Sequence, residues 1–353
     1  MTDRSDGEER AVQSNEALSR HDKMTTVFVI SPTFNEAENI PVLYERLGKI
    51  ANDLFDRYQF RFLFVDDCST DGTPRVLAEL CSKDPRVAHL RLSRNSGSHA
   101  ALTAGFAHCD GDCAVVLAAD GQDPPETLPA LLEEWRRGSK VVWAVRESRE
   151  GVSRLGVLCS RLFYWIMRRI ALAQMPPEGA DFFLVDRQVI AALNRMPEHN
   201  HSVVAMLMWL GFPQSSIQYT KERRLHGLSK WSFGKRLKLA IDSFAGYSYV
   251  PLRAASVLGL TTAALGLLYA LFVFVTALFG RPVTGWASLM VVVLTTAGVQ
   301  MMILGVLGEY LWRVLEETRR RPRYVIESSR NLRASTGDGT VADGVVGGEG
   351  IQG

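Results

Sequence analysis

Acidic and amide side chains recur in this chain where an apolar run gives way to a turn, a placement that suits holding a metal ion and a diphosphate. The clearest case is Leu117 to Glu126, LAADGQDPPE. The run Ala114 to Ala119 reads as a buried strand that ends on Asp120. Gly121, Gln122, Asp123 and two prolines then force a turn. Asp120 and Gln122 offer the oxygen ligands that a hard divalent cation prefers. An ordinary surface turn capped by Asp has the same composition. Other strand ends repeat the pattern: Asn35 and Glu36 follow Pro32, Asp66 and Asp67 open the string DDCSTDGT, and Asn95 lies in RNSG. Such residues either cap the next helix or face a ligand together. A second set is cationic. Arg146 and Arg149 follow VVWAV, and Arg224, Ser229 and Lys230 lie in a basic loop. Arg forks and Lys point charges suit phosphate; a solvated basic face is the alternative.

The elements that must position these groups alternate along the chain. Val27 to Ile30 reads as a strand ended by Pro32, and a helix begins at Asn35 or Glu36 and runs to about Ile50. Strand Phe60 to Val65, helix Pro74 to Cys81, strand Val87 to Leu92 and helix Ala100 to His108 follow. After the metal-type turn come helix Leu128 to Arg137 and strand Val141 to Val145. Beyond these lie strand Ala180 to Val185, with Asp181 near its start, helices Arg187 to Asn194 and Val203 to Leu210, and a strand at Ile217 to Tyr219. This alternation predicts a parallel sheet with helices on both faces, whose ligand edge is formed by the carboxyl ends of the strands. No GxGxxG or GxxxxGK[ST] string follows the first strand, which removes the main support for a dehydrogenase or a P-loop ATPase.

Composition narrows the partners. A net charge of +2 over 353 residues leaves no bulk positive field for nucleic acid. Five cysteines without CxxC spacing read as reduced thiols rather than a zinc site. No secretory signal opens the chain, and residues 1–23 and the Gly-rich end from about Ser335 read as tails without chemistry. Residues 153–175 are basic and aromatic, suiting either a core helix or a helix on a membrane surface. From Phe233 to Tyr249 bases alternate with apolar residues, as in an interfacial helix on an anionic membrane. Ala254 to Gly280 and Pro282 to Gly308 are uncharged runs longer than the ~20 residues needed to span a bilayer. They read as a transmembrane pair, although a buried soluble hairpin has the same composition. Lys235, Arg236, Lys238 and Arg253 flank the first run and Arg313, Arg319, Arg320, Arg321 and Arg323 the second, against Arg281 alone between them. The positive-inside rule therefore expects the preceding domain and both termini in the cytoplasm.

With these motifs in hand, a family resemblance follows. SPTFNEAENI, FVDDCSTDGT, RNSG, AADGQDPPE, the RESR after a strand and RRLHGLSKW resemble, in order and spacing, the family 2 glycosyltransferases of GT-A fold. ADFFLVDR, HGLSKWSF, the two apolar runs and GEYLWRVLEETRRRPRY are similar to the polyprenyl-phosphate glycosyltransferases of that family. The likeness covers roughly residues 25 to 328. It implies an α/β, Rossmann-like nucleotide-sugar-binding domain over 24–231, an interfacial helix over 232–252, a membrane hairpin over 253–312 and a cytoplasmic tail over 313–353. It implies a hexose, glucose for choice, passed from a UDP- or GDP-sugar to undecaprenyl-type phosphate at the inner membrane, with inversion. Mg2+ or Mn2+ would sit on Asp120 and Gln122. Pro32, Asn35, Glu36, Asp66, Asp67 and Asn95 would hold the nucleotide, and Arg146, Arg149, Arg224, Ser229 and Lys230 the acceptor phosphate. Asp181 would orient groups or act as base. A different acceptor and an inert membrane scaffold are the alternatives, and a homo-oligomer is allowed by small residues at Gly259 and Gly266. Three residues depart from the family pattern: Ala118 replaces an Asp, Gly121 an apolar residue, and Phe183 an Arg. They are expected to place metal binding on Asp120 and Gln122 alone, to loosen the metal turn, and to remove a phosphate-facing cation.

Overall fold

The computed structural model describes residues 24–146, 181–196, 202–222, 250–279, 285–319 and 321–332. Arg149, Arg224, Ser229 and Lys230, the basic stretch 153–175, nearly all of the expected interfacial helix 232–252, residues 1–23 and the Gly-rich end from Ser335 lie outside these residues.

The α/β domain is one sheet between two helical layers. Its strands are β1 (Thr25–Thr33), β2 (Tyr58–Asp66), β3 (Val87–Leu92), β4 (Cys113–Val116), β5 (Val141–Arg146), β6 (Phe182–Asp186), β7 (Gln214–Tyr219) and β8 (Ile326–Arg330), in the order β7-β5-β6-β4-β1-β2-β3-β8. Successive side chains on a strand point to opposite faces, and nearly every position on the central strands is apolar because both faces are covered. On one face Val27, Val29, Phe62 and Leu117 meet helices α1 (Asn39–Asp53), α2 (Thr73–Lys83) and α4 (Leu128–Arg136). On the other, Phe28, Ile30, Leu63 and Val65 meet α3 (Ser98–Ala107), α5 (Arg187–Asn194) and α6 (Val203–Trp209). Helix α3 lies close to the sheet because Gly105 lacks a side chain; a Cβ there would come within 2.5 Å of Ile30 Cγ2.

Several boundaries differ from the sequence expectations. Strand β1 does not end at Pro32 but continues to Thr33, paired with Asp66. Ile30 O accepts from Leu117 N and Thr33 O from Asp67 N, so alternate residues address opposite neighbours and Pro32 faces the β4 side. Its missing N–H would have met Leu117, one residue past that strand, and Ser31 Oγ donates to the Leu117 carbonyl instead, at 2.8 Å. Helix α1 starts at Asn39 rather than Asn35 or Glu36, because Asn35 takes a left-handed φ of 55° and Glu36 O closes a turn onto Asn39 N and Ile40 N. The β4 strand stops at Val116, so Asp120 lies on the turn and not at the strand's last residue.

The sheet is mixed, which corrects the expectation of a parallel one. Strand β6 runs antiparallel to β4 and β5, so its start, not its end, lies at the ligand edge. That reversal carries Asp181 to the side where β5 ends. Strand β8 pairs antiparallel with β3, from a segment expected to be tail. Asn331 Nδ2 donates to the carbonyls of Cys81 and Val87, and Tyr324, Ile326 and Leu332 pack on the core.

Between β7 and β8 lie two long helices, α7 (Val250–Leu278) and α8 (Trp286–Thr318). Each is far longer than the ~20 residues a bilayer requires. They pack on each other, Gly259 admitting Ile303, whose Cδ1 lies 3.0 Å from where a Cβ would be; Gly266 has no such neighbour.

Candidate active site

The ligand edge begins with β1 and β2, whose ends are laced together. Asn35 N donates to Ser69 Oγ at 2.8 Å, Thr70 N to Asn35 Oδ1 at 2.8 Å, and Glu36 N to Thr73 Oγ1 at 2.9 Å. The left-handed Asn35 turns the chain so that its backbone and amide both face the second loop. Pro32 and Asn35 are half-buried, Glu36 is buried and Asn95 is exposed.

Asp66 and Asp67 are organised differently from the expectation that they face base and ribose. Asp66 has no exposed surface; it accepts from Ser69 N at 2.9 Å and from Arg91 Nη1 at 2.5 Å. It therefore holds the loop. Asp67 is 4% exposed and accepts from Ser96 N at 2.7 Å and Gly97 N at 2.8 Å, fixing the turn that carries Asn95. Burial raises its pKa above the usual carboxylate range, against those two N–H groups, and neighbouring Asp66 adds to the rise. Arg91 continues to Glu327 Oε2 at 2.7 Å, so β8 closes this side of the site. Nothing in the spacing of Arg91 and Glu327, 236 residues apart, announces that link.

At the centre is the turn after β4. Asp120 and Gln122 are both half-buried, and Asp120 Oδ1 accepts from Gln122 N at 3.1 Å. Gly121 has a φ of 70°, the left-handed region where glycine carries no steric penalty. The glycine suits the turn rather than loosening it. Among the described residues no three His, Cys, Asp or Glu side chains gather. A single carboxylate with an amide oxygen nevertheless fits a Mg2+- or Mn2+-type ion whose other positions are taken by diphosphate oxygens and water.

The far side of the edge holds Arg146 and Asp181, joined at 3.2 Å. Burial disfavours the Arg146 charge, but Tyr219, its cross-strand neighbour, and the carboxylates of Asp181 and Asp123 outweigh that and raise its pKa. Tyr219 in turn donates to Asp123 Oδ1 at 2.6 Å, and Asp123 is fully buried. Burial and that carboxylate push the Tyr219 pKa up. A chain of contacts thus runs from the metal-type turn through Asp123, Tyr219 and Arg146 to Asp181. Phe183 is not at the phosphate side at all. It is fully buried against Trp143, ring centroids 5.2 Å apart, so an Arg at this position would lie in the core of this chain.

Sequence reasoning missed Asp123 and Tyr219. Asp123 stands in the quoted motif, and its burial was the hidden part. It also missed Arg46, which forks onto Glu126 (Nε–Oε1 2.9 Å) and Glu222 (Nη2–Oε1 2.8 Å).

A mixed α/β sheet with a carboxylate–amide turn and the Arg146–Asp181 pair on one edge is the arrangement expected of a glycosyltransferase of GT-A fold. The glycosyl transferase family 2 model matches residues 28–193. YkcC of Bacillus subtilis, an uncharacterized glycosyltransferase, is 36% identical over 316 residues, covering 89% of this chain and 96% of its own. The bactoprenol glucosyl transferase of Shigella phage SfX is 34% identical over 305 residues, 86% and 99% of the two chains. A mannosyltransferase from Pyrobaculum calidifontis, solved with GDP-Man and Mn2+, has a TM-score of 0.46 at 18% identity, covering 82% of this chain and 88% of its own. The chain belongs to glycosyltransferase family 2.

Proposed function

We propose that this glycosyltransferase moves a hexose, glucose for choice, from a UDP- or GDP-sugar to a polyprenyl phosphate of the undecaprenyl class at the cytoplasmic face of the inner membrane. The product would feed glycan modification of the cell envelope. The observation that carries the lipid acceptor is the pair of apolar stretches Arg253–Thr276 and Val291–Trp312, with mean hydropathies of 2.1 and 2.0 and large apolar side chains such as Leu260, Leu267, Met301 and Leu311 exposed. An apolar surface of that length is stable in lipid and costly in water. The positive flanks described above support a site on the cytoplasmic side. The relatives' bactoprenol-directed names support the same acceptor.

In this reading the Pro32–Glu36 turn and Asn95 line the nucleotide, while Asp67 acts through the turn it holds. Asp120 and Gln122 would hold the divalent ion, which when bound supplies Lewis-acid stabilisation of the departing nucleoside diphosphate. Arg146 binds acceptor phosphate, with Arg149, Arg224, Ser229 and Lys230 as further contacts. A phosphate monoester is already anionic near neutral pH, so its oxygen attacks the sugar C1 without a strong base. Asp181, paired to Arg146, aims the guanidinium. Displacement from the face opposite the diphosphate inverts the anomeric centre.

The test is a donor screen on purified full-length protein, with labelled UDP-glucose, GDP-mannose and UDP-N-acetylglucosamine, polyprenyl phosphate and Mg2+ or Mn2+. Lipid-linked label from one donor is expected. Label on none of them would sink the proposal; label passing to protein or to a growing polymer instead would replace its acceptor.

A further inference from the structure

Strand β8 pairs with β3 regularly except at one place. Ser328 lies opposite Arg91 and Ile326 opposite Leu92, so Glu327 is an extra residue in the register. On a regular strand Glu327 would point to the face opposite Ser328, and so away from Arg91. A bulge re-aims its residue, and here the Glu327 carboxylate accepts from Arg91 Nε at 2.7 Å. The two segments stay joined past the bulge, where Ser93 N donates to the Val325 carbonyl at 2.9 Å.

The other side of the same guanidinium grips the loop after β2. Nη1 reaches the Asp66 carboxylate, and Nη1 and Nη2 both stand 3.3 Å from the Ser69 carbonyl. Asp66 also accepts from Ser69 N at 2.9 Å, so Arg91 holds both ends of a four-residue turn. Inside that turn Cys68 takes a left-handed φ of 61°. Among the described residues the other non-glycine residues with a positive φ are Asn35 and Asn331, and Asn adopts that region more readily than most side chains. A Cys in this conformation persists where its surroundings over-determine it, and such residues gather at functional sites. The turn it occupies meets Asn35: Asn35 N donates to Ser69 Oγ and Thr70 N to Asn35 Oδ1, each at 2.8 Å. A line of contacts therefore runs from Glu327 through Arg91 and the Asp66–Ser69 turn to Asn35. Stability is a poor account of its outer end, because the Glu327 side chain is 51% exposed and ion pairs in that setting contribute little. Orientation is a better one, since acceptors on two sides of a planar guanidinium fix its pose.

We propose that Glu327 and Arg91 are positioning residues for the nucleotide, holding the Asp66–Ser69 turn against Asn35. The bulge on β8 is the device that aims the first of them. The donor side of the site is thus completed by a strand that follows the second long helix in the chain. The proposal rests on the assignment of the Pro32–Glu36 turn to the nucleotide. Neither side chain acts on a reacting atom.

Calorimetry on the full-length protein with UDP and with GDP, each with Mn2+, reads the effect. The wild type should bind one of them. Glu327→Ala should weaken that binding about fivefold, the low end of ordinary coupling between linked groups, with Tm nearly unchanged. Glu327→Gln keeps an acceptor oxygen and should fall between the two. Arg91→Lys keeps a charge beside Asp66 but cannot fork, so it should weaken binding at least as much. Glu327→Ala should add almost nothing to Arg91→Lys, as expected of groups that act in series. In the transfer assay these variants should raise the donor KM by the same factor, with kcat and the acceptor KM moving far less. Wild-type affinity in Glu327→Ala, or additive losses in the double variant, would overturn the proposal and leave the nucleotide assignment standing. Binding of neither nucleotide by the wild type would remove both. Glu327→Gln changes one atom, so it carries the same comparison should Glu327→Ala unfold.

Discussion

Arg91→Ala should be far more damaging than its position on an edge-side strand suggests. The Asp66 carboxylate has no exposed surface, and Arg91 is its only ion-pair partner within 3 Å among the described residues; the other close donor is Ser69 N. His89 Nε2 stands 4.0 Å away, and burial keeps its pKa down at about 4, with Asp66 working to raise it and Arg91 to lower it. Removing Arg91 therefore strands a buried charge, a change that costs about 3–5 kcal/mol. For a domain of ~200 residues this is on the order of 10 °C in Tm. Glu327→Gln is the control. It removes the other Arg91 ion pair, but Glu327 is half exposed, so the loss should stay below about 1 kcal/mol. The deficit also has a pH signature. Without Arg91 the His89 pKa rises, so on acidification His89 takes a proton and partners Asp66, and Arg91→Ala should lag the wild type less at pH 5 than at pH 8. Thermal unfolding of the full chain measures all three, and the full chain is required because β8 follows the long helices. An Arg91→Ala loss no larger than that of Glu327→Gln would refute the reasoning.

Asp120→Asn keeps the turn's shape but removes the carboxylate of the Asp120–Gln122 pair, so kcat should fall by about 10²–10³-fold, the scale of a lost Lewis-acid contact, in a steady-state transfer assay. His89 is buried neutral with a depressed pKa, so the unfolded chain binds the extra proton between about pH 6.5 and 4. Stability should be complete above pH 6.5 and fall toward pH 4 by up to ~3 kcal/mol from this group, and His89→Gln should flatten that part of a Tm–pH curve. Truncation after Arg323 removes β8, the Glu327–Arg91 pair and both Asn331 bonds, leaving the β3 edge unpaired. Lower Tm and concentration-dependent association in size-exclusion runs are expected, since an open strand edge recruits other chains.

Much of the domain could be read from local pattern. Strand β3 and helix α5 begin and end where periodicity placed them, because apolar spacing reports burial directly. The errors lie where a partner distant in sequence decided the outcome. Pro32 stays in a strand because its missing N–H falls beyond the last residue of β4 and Ser31 meets the orphaned carbonyl. Phe183 belongs to the core because β6 places alternate residues on opposite faces of a sheet covered on both sides. For the candidate site, Asp120, Gln122, Asn35 and Glu36 were visible as polar residues at strand ends. Asp66 was visible too, but its role was not, since burial by Arg91 and β8 is a long-range property.

The sequence by itself determined the alternation of strands and helices, the Asp120–Gln122 turn, the basic residues and the two apolar runs. Each is written in neighbouring residues, through side-chain period, turn chemistry or the length of an uncharged stretch. Only the tertiary structure decided the direction of β6 and the return of the chain as β8. An antiparallel strand has the same local spacing as a parallel one, and its orientation depends on which neighbours it finds. That direction brings Asp181 to the ligand edge beside Arg146, and β8 brings Glu327 to Arg91. Asp123 likewise passes for a turn residue until the fold buries it against Tyr219.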